Sequence, residues 1–236
     1  MKMEILGILL DIEGTTTPIS FVYDVLFPFA RKELRAACLQ TMNTEIEKAV
    51  EILRDEWTTE PEEVRETIVD FGDGSEYAAY LMDQDRKSTG LKKLQGLIWE
   101  EGYRDGALKG VVFEDVSPAF KRWTEQGKRI RIYSSGSVLA QKLLFGFSNH
   151  GDLTGFIEGY HDTTSGPKKE PESYNQIAQA YDLPPDRILF LSDNLDELQA
   201  ARLAGLQTAL ALRPGNSPVP EHDHAVVRSF DEIDRK

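Results

Sequence analysis

The strongest constraint on this chain is a series of short apolar runs separated by longer helical patterns. Glu4–Leu10 (EILGILL) is almost continuously apolar and stops at Asp11. Arg129–Tyr133 (RIRIY), Arg187–Leu191 (RILFL) and Gln207–Leu212 (QTALAL) are further short apolar or alternating runs. Between them, Val116, Ala119, Phe120 and Trp123 recur at i, i+3, i+4 and i+7, as do Tyr174, Ile177, Ala178 and Tyr181. That spacing places four side chains on one buried helix face. Pro118 and Pro171 stand near helix starts, where a missing N–H costs little, and Gly127 and Gly205 follow helix ends. Strands alternating with helices of this length need crossover connections, and therefore a parallel sheet covered on both faces.

Residues 17–109 break the alternation, because they contain no comparable strand run. Helices are expected over Ser20–Leu39 (interrupted at Pro28), Thr44–Trp57, Pro61–Val69, Glu76–Asp85 and Leu91–Tyr103. The predicted fold class is α/β: a core of residues 1–16 and 110–236, with an all-helical domain of residues 17–109 inserted after the first strand. The insert also holds most of the acid. Of a formal net charge of −13, residues 44–76 contribute −9, from twelve acids and three bases. Mixed with Val50, Leu53, Trp57 and Val64, that segment reads as solvated helices with a narrow apolar face.

An acidic chain of this kind argues against a nucleic-acid-coating or anionic-membrane-binding surface. No apolar run approaches the ~20 residues of a spanning helix. The apolar start is cut by Glu4 and stopped by Asp11, without a small-residue cleavage site. A single cysteine, Cys38, excludes an internal disulfide framework and suits a reducing compartment. The expectation is a cytoplasmic protein with neither membrane nor nucleic acid as partner.

The residues with chemistry to offer cluster just past the expected strand ends, the edge where open α/β sheets bind ligands. The first strand leads into Asp11-Ile12-Glu13-Gly14-Thr15-Thr16. Two carboxylates two residues apart could divide the work of nucleophile and proton carrier, or simply form an acidic turn. Arg129–Tyr133 leads into Ser134-Ser135-Gly136-Ser137 ahead of a helix, which is either an anion site or an ordinary serine cap. Gly166-Pro167-Lys168-Lys169 presents a lysine that suits an anionic intermediate, or a solvated surface. RILFL runs into Ser192-Asp193-Asn194-Leu195-Asp196-Glu197, whose oxygens are hard ligands suited to Mg²⁺, or helix caps. Each feature alone has a plain structural explanation; all four in this order do not.

Together they resemble the ordered motifs of the haloacid-dehalogenase-like phosphohydrolases. That resemblance implies a Rossmann-like core with a cap inserted after the first motif. It makes Asp11 the nucleophile that forms an aspartyl-phosphate, and Glu13 the group that protonates the leaving oxygen and then activates water. Ser134 and Ser135 take phosphate or substrate, Lys168 neutralises the phosphoryl group, and Asp11, Glu13 and Asp193 supply the site for one Mg²⁺ per subunit. The commoner family pattern is Asp-x-Asp-x-Thr, and Glu13 departs from it. With LLDIEGTTTPISFVYDVLFPFAR, DRKSTGLKKLQGLIW, IYSSGSVLAQKLLFG, ILFLSDNLDEL and LRPGN, the chain is similar to the enolase-phosphatase E1 branch, also called acireductone synthase, of methionine salvage.

The branch implies a monomer acting on a small phosphate ester, 2,3-diketo-5-methylthiopentyl-1-phosphate, which is enolised and then dephosphorylated. It also points to the cap stretch Arg86–Leu91 as a substrate contact. A broader sugar- or glycolate-phosphate phosphatase would use the same motifs. An acidic interaction protein on an inactive scaffold is the alternative outside enzymes, but its expected loss of a nucleophile or metal carboxylate is absent. His222-Asp223-His224 lies in a proline-rich segment and reads as exposed loop, Asp70–Gly74 as a turn, and Cys38 as a buried thiol.

Overall fold

The computed structural model describes residues 4–40 and 42–233. It divides into two compact units, one of residues up to Val22 together with Lys109 onward, the other of Tyr23–Leu108.

The first unit is built on a six-stranded sheet. Its strands are β1 (Gly7–Leu10), β2 (Arg129–Tyr133), β3 (Ile157–His161), β4 (Ile188–Ser192), β5 (Gln207–Ala211) and β6 (Ala225–Val227). Every pairing is parallel and the order is β3-β2-β1-β4-β5-β6. β1 is central, and all four of its residues are buried because neighbours cover both faces. Leu9, Tyr133, Ile188 and Phe190 from the sheet pack with Tyr174, Ile177, Ala178 and Tyr181 of one helix and with Leu198 and Ala201 of the next. Elsewhere in this unit, Phe120, Trp123, Phe145 and Phe230 form a chain of ring contacts at 5.3–6.2 Å. Burying one such ring contributes about 1.5–3 kcal/mol.

Four of the six strands coincide with apolar runs. β3 and β6 went unseen in the sequence: Ile157–His161 has Gly159 at its centre, and Ala225–Val227 is only three residues long.

The second unit consists of α1 (Phe27–Cys38), α2 (Thr44–Thr58), α3 (Glu62–Thr67), α4 (Ser75–Asp83) and α5 (Thr89–Arg104). Apolar stripes from α1 (Ala30, Leu34, Ala37), α2 (Ile46, Ala49, Leu53), α4 (Tyr77, Ala78, Leu81) and α5 (Leu91, Leu94, Ile98) make its core. Pro28 does not interrupt a helix. A π-helical turn over Phe21–Leu26 leads directly into α1, where the proline sits in the first turn and needs no amide partner. Asn43 caps α2 through its side-chain oxygen, and Ser88 caps α5. The Glu56 carboxylate adds acceptors for the Ser88 hydroxyl and the Thr89 and Gly90 amides, so an anion sits where the α5 dipole favours one. Glu60 is the buried exception in the acidic segment: it takes the Tyr77 hydroxyl at 2.5 Å and the Arg86 guanidinium at 2.7 Å.

The first unit holds the remaining helices, α6 (Val116–Glu125), α7 (Val138–Gly146), α8 (Pro171–Tyr181) and α9 (Leu195–Leu203). Among the described residues no helix is long and apolar enough to cross a membrane.

Candidate active site

The strand order reverses between β1 and β4, and in open parallel sheets ligands bind in the crevice where it does so. Asp11 follows β1, and Ser192 and Asp193 stand at the end of β4. The chain leaves β1 in a tight turn, in which the carbonyl of Ile12 accepts the amides of Thr15, Thr16 and Thr17 at 3.2, 3.0 and 2.9 Å. Gly14 makes the turn possible, with φ of +63°. A Cβ there would lie 2.7 Å from Asp193 Cγ and 3.0 Å from Asn216 Oδ1, so the turn and the Asp193 carboxylate pack with no room for a methyl group.

Two residues of the LRPGN stretch brace the turn. Arg213 Nε donates to the Thr15 carbonyl and Asn216 Nδ2 to the Gly14 carbonyl, both at 2.9 Å. Arg213 is itself buried between the rings of Phe113 and Phe230 and pairs with Asp115 at 2.6 Å.

Asp11 is buried and both of its carboxylate oxygens are engaged. Oδ1 accepts the Ile12 amide and the Lys168 ammonium, each at 2.7 Å; Oδ2 faces the Ser192 hydroxyl at 3.2 Å. Lys168 reaches Asp11 from the loop before α8, and its ammonium also lies 2.7 Å from Glu197 Oε2. The same Glu197 oxygen lies 3.0 Å from the Ser192 hydroxyl, which closes a buried ring of Asp11, Lys168, Glu197 and Ser192. Burial works against the Lys168 charge, but Asp11 and Glu197 more than offset it and hold the ammonium above the ordinary lysine range.

Lys169, its neighbour, points out to solvent and pairs with Asp196 at 2.7 Å. Of the two adjacent lysines, then, only Lys168 enters the crevice. Asn194 caps α9, taking the amides of Asp196 and Glu197, so neither Asn194 nor Asp196 joins the buried ring.

Ser134 is buried at the end of β2 and accepts the Gly136 amide at 3.2 Å, while Ser135 is exposed. Ser137 caps α7, and Gln141 holds the loop by donating to the carbonyls of Gly136 and His161 at 2.9 and 2.8 Å. Because β2 is the parallel neighbour of β1, this loop stands on the same sheet edge as Asp11.

The electrostatics are set by crowded carboxylates. Burial, and then the charge on Asp11, pushes Glu13 up to about 7. The same two causes push Asp193 up to about 6. Glu197 is raised by burial and by Asp11, with Lys168 pulling the other way. Four carboxylates share one ammonium, and this surplus of negative charge is what a divalent cation would relieve. Among the described residues no three acidic, imidazole or thiol side chains converge as a ready-made metal cage, so Asp11, Glu13 and Asp193 do not form one. Mg²⁺ does not need such a cage, since it is commonly held by one or two carboxylates with phosphate oxygens and water. Asp11 and Asp193 fit that description.

Glu197 and the LRPGN brace were not assigned a place in the site by sequence. An acid in the first turn of a helix has a sufficient explanation in the helix dipole, and the LRPGN stretch, which directly follows β5, reads as an ordinary Pro-Gly turn at a strand end. One expectation elsewhere is modified. His224 is buried and meets the Thr208 hydroxyl through Nδ1 at 2.8 Å, while Asp223 pairs with Arg202; the segment is thus tied to β5 rather than free. In the Arg86–Leu91 stretch, the Arg86 and Ser88 side chains are occupied inside the helical unit by Glu60 and Glu56.

Residues 5–205 match the haloacid dehalogenase-like hydrolase family. The enolase-phosphatase E1 of Synechococcus elongatus is 47% identical, over 99% of each chain. That of Pseudomonas syringae pv. syringae is also 47% identical, over 98% of each. Among solved structures, the UTR4 protein of Saccharomyces cerevisiae superposes with a TM-score of 0.80 at 36% identity, covering 98% of this chain and 100% of that one. CbbY of Rhodobacter sphaeroides, at 19% identity and a TM-score of 0.57 over 98% of this chain and 96% of its own, shares the fold. The chain belongs to the haloacid dehalogenase-like hydrolases and, within them, to the enolase-phosphatase E1 family.

Proposed function

We propose that the protein is a bifunctional enolase-phosphatase, a cytoplasmic monomer with one Mg²⁺. It converts 2,3-diketo-5-methylthiopentyl-1-phosphate to acireductone and inorganic phosphate in methionine salvage. The observation that carries the phosphatase half is the placement of Asp11 and Glu13 in one turn at the sheet's reversal point, with Lys168 in contact with Asp11. The relatives' shared name supports the enolase half.

On this reading an Asp11 oxygen attacks phosphorus and the ester P–O bond breaks, leaving phosphate on Asp11. Glu13, whose carboxyl burial pushes up, gives a proton to the departing oxygen. Its carboxylate then takes a proton from water as the water attacks the same phosphorus, which frees Asp11 and inorganic phosphate. Lys168 and the Ser134–Ser137 loop hold the phosphoryl oxygens. Asp11 and Asp193 would hold Mg²⁺, which supplies positive charge against the anionic ester and polarises it.

The test follows the two half-reactions separately. Incubation with the diketone phosphate should produce the enol chromophore and free phosphate in turn, and excess chelator should stop phosphate release until Mg²⁺ is restored. Equal turnover of a generic phosphate ester, with no enol formed, would instead favour a broad phosphatase.

A further inference from the structure

The loop that carries Lys168 has no strand or long helix of its own, yet its lysine must end within hydrogen-bonding distance of two carboxylates. What holds it is a set of three hydroxyls on three successive backbone carbonyls. The Tyr133 hydroxyl donates to the Gly166 carbonyl at 2.8 Å. The Ser173 hydroxyl donates to the Pro167 carbonyl at 2.8 Å. The Tyr174 hydroxyl donates to the Lys168 carbonyl at 2.6 Å.

All three donors are buried, and the two tyrosine rings pack edge to face at 5.5 Å, so the hydroxyls have a rigid base. The Lys168 ammonium lies 5.8 Å from the centre of the Tyr133 ring, so the same side chain borders the loop's backbone and its charge. Gly166 adopts φ of +118°, and a Cβ there would come within 3.0 Å of Ser173 Cβ, which keeps the loop pressed onto the start of α8. Tyr133 is also the last residue of β2 and immediately precedes Ser134. It therefore links the serine loop to the lysine loop across one sheet edge.

We propose that Tyr133, Ser173 and Tyr174 are positioning residues for the reaction: a hydroxyl clamp that fixes the Lys168 backbone so that its ammonium bridges Asp11 and Glu197. This rests on the reading of Lys168 as the phosphoryl-binding cation. The hydroxyls touch no substrate and act only through the lysine. Removing one should therefore weaken phosphate binding only while the lysine is present, whereas a general packing role would be independent of it.

The experiment measures the affinity of the full-length, Mg²⁺-loaded enzyme for inorganic phosphate by calorimetry. The variants are Tyr174→Phe and Ser173→Ala, each alone and combined with Lys168→Met, with melting temperatures recorded for all. Loss of a single hydrogen bond sets the scale at about fivefold. Each variant should weaken phosphate by about that factor beside Lys168 and by less than about twofold beside Met, the non-additivity expected of coupled residues. Equal factors in both backgrounds, or no weakening beside Lys168 when Lys168→Met is itself impaired, would overturn the clamp and leave the lysine's role standing. Wild-type phosphate affinity in Lys168→Met would overturn the lysine's role and the clamp with it.

Discussion

Gly14→Ala isolates the contact between the Asp11 turn and Asp193. The substitution adds one methyl group at a residue whose φ is +63°. An L side chain in the left-handed region costs roughly 1–2 kcal/mol. In a protein of this size that lowers the melting temperature by about 2–8 °C. A second effect is specific to the site. The new Cβ would stand 2.7 Å from Asp193 Cγ, and closer still to its Oδ2. Comfortable carbon–carbon contact is ~3.5–4.0 Å, so the carboxylate or the turn must yield by about 1 Å. A displacement of that size at a reacting centre can cost about 10²-fold in rate.

Gly127→Ala is the matched control, since Gly127 has φ of +73° with nothing within 4 Å of the added Cβ. Both variants should lose stability to the positive φ by thermal melt, Gly14→Ala more so because of its clash with Asp193. Phosphate release should then fall about a hundredfold in Gly14→Ala and stay near wild type in Gly127→Ala. The reasoning is refuted if Gly14→Ala keeps more than about a third of wild-type kcat/KM while folded, because a 1 Å shift at the reacting centre could not be that mild.

Three further outcomes follow from groups outside the reacting centre. Glu60 is held below its usual 4.5, chiefly by its hydrogen bond from Arg86 and also by that from Tyr77, so its contribution is full above pH 4.5 and fades as pH falls through the folded value. Glu60→Gln should therefore melt lower than wild type at pH 7, by about 1 kcal/mol because Arg86 is 41% exposed, and the gap should close as pH falls from 4.5 through the folded value; a gap that does not change with pH would show that the charge contributes nothing. Arg213→Met leaves the half-buried Asp115 carboxylate with only the Ser229 hydroxyl and the Phe230 amide, and denaturant titration should show a loss of about 3 kcal/mol. A loss below about 1 kcal/mol would remove the brace from the account. Burial, then Asp73, pushes the Cys38 thiol up to about 12, so alkylation at pH 8 should run over about 100-fold slower than for free cysteine, and a rate close to free cysteine would contradict that environment.

Much of the core was legible because a buried strand leaves little choice of residue: GILL and ILFLS are nearly all apolar, and RIRIY and QTALA keep their apolar residues at the buried positions. Asp11 and Asp193 were legible for a related reason, since a polar residue at the end of such a run has no place in the core; Lys168 stands in a loop and was legible only through the family resemblance. The resemblance assigns Lys168 rather than Lys169; geometry separates them by direction, one into the crevice and one towards Asp196. Tyr133 and Tyr174 were hidden by their own rings. Periodicity marks Tyr174 as a core residue, which it is, and says nothing of a hydroxyl that reaches back to a loop carbonyl. Glu197 and Arg213 owe their positions to contacts between segments far apart in sequence, and those arise only once the sheet order is set. The π turn before α1 has no local signature beyond Pro28, whose effect depends on where the α-helix begins.

The central claim, that Asp11 carries the phosphoryl group, has a direct test in trapping. Enzyme quenched with acid during turnover of the diketone phosphate and reduced with borohydride should yield homoserine at position 11, found by peptide mass spectrometry, because an acyl phosphate is reduced where a free carboxylate is not. Asp11 recovered unchanged at a time when turnover is under way, or homoserine at another acidic position, would contradict the account.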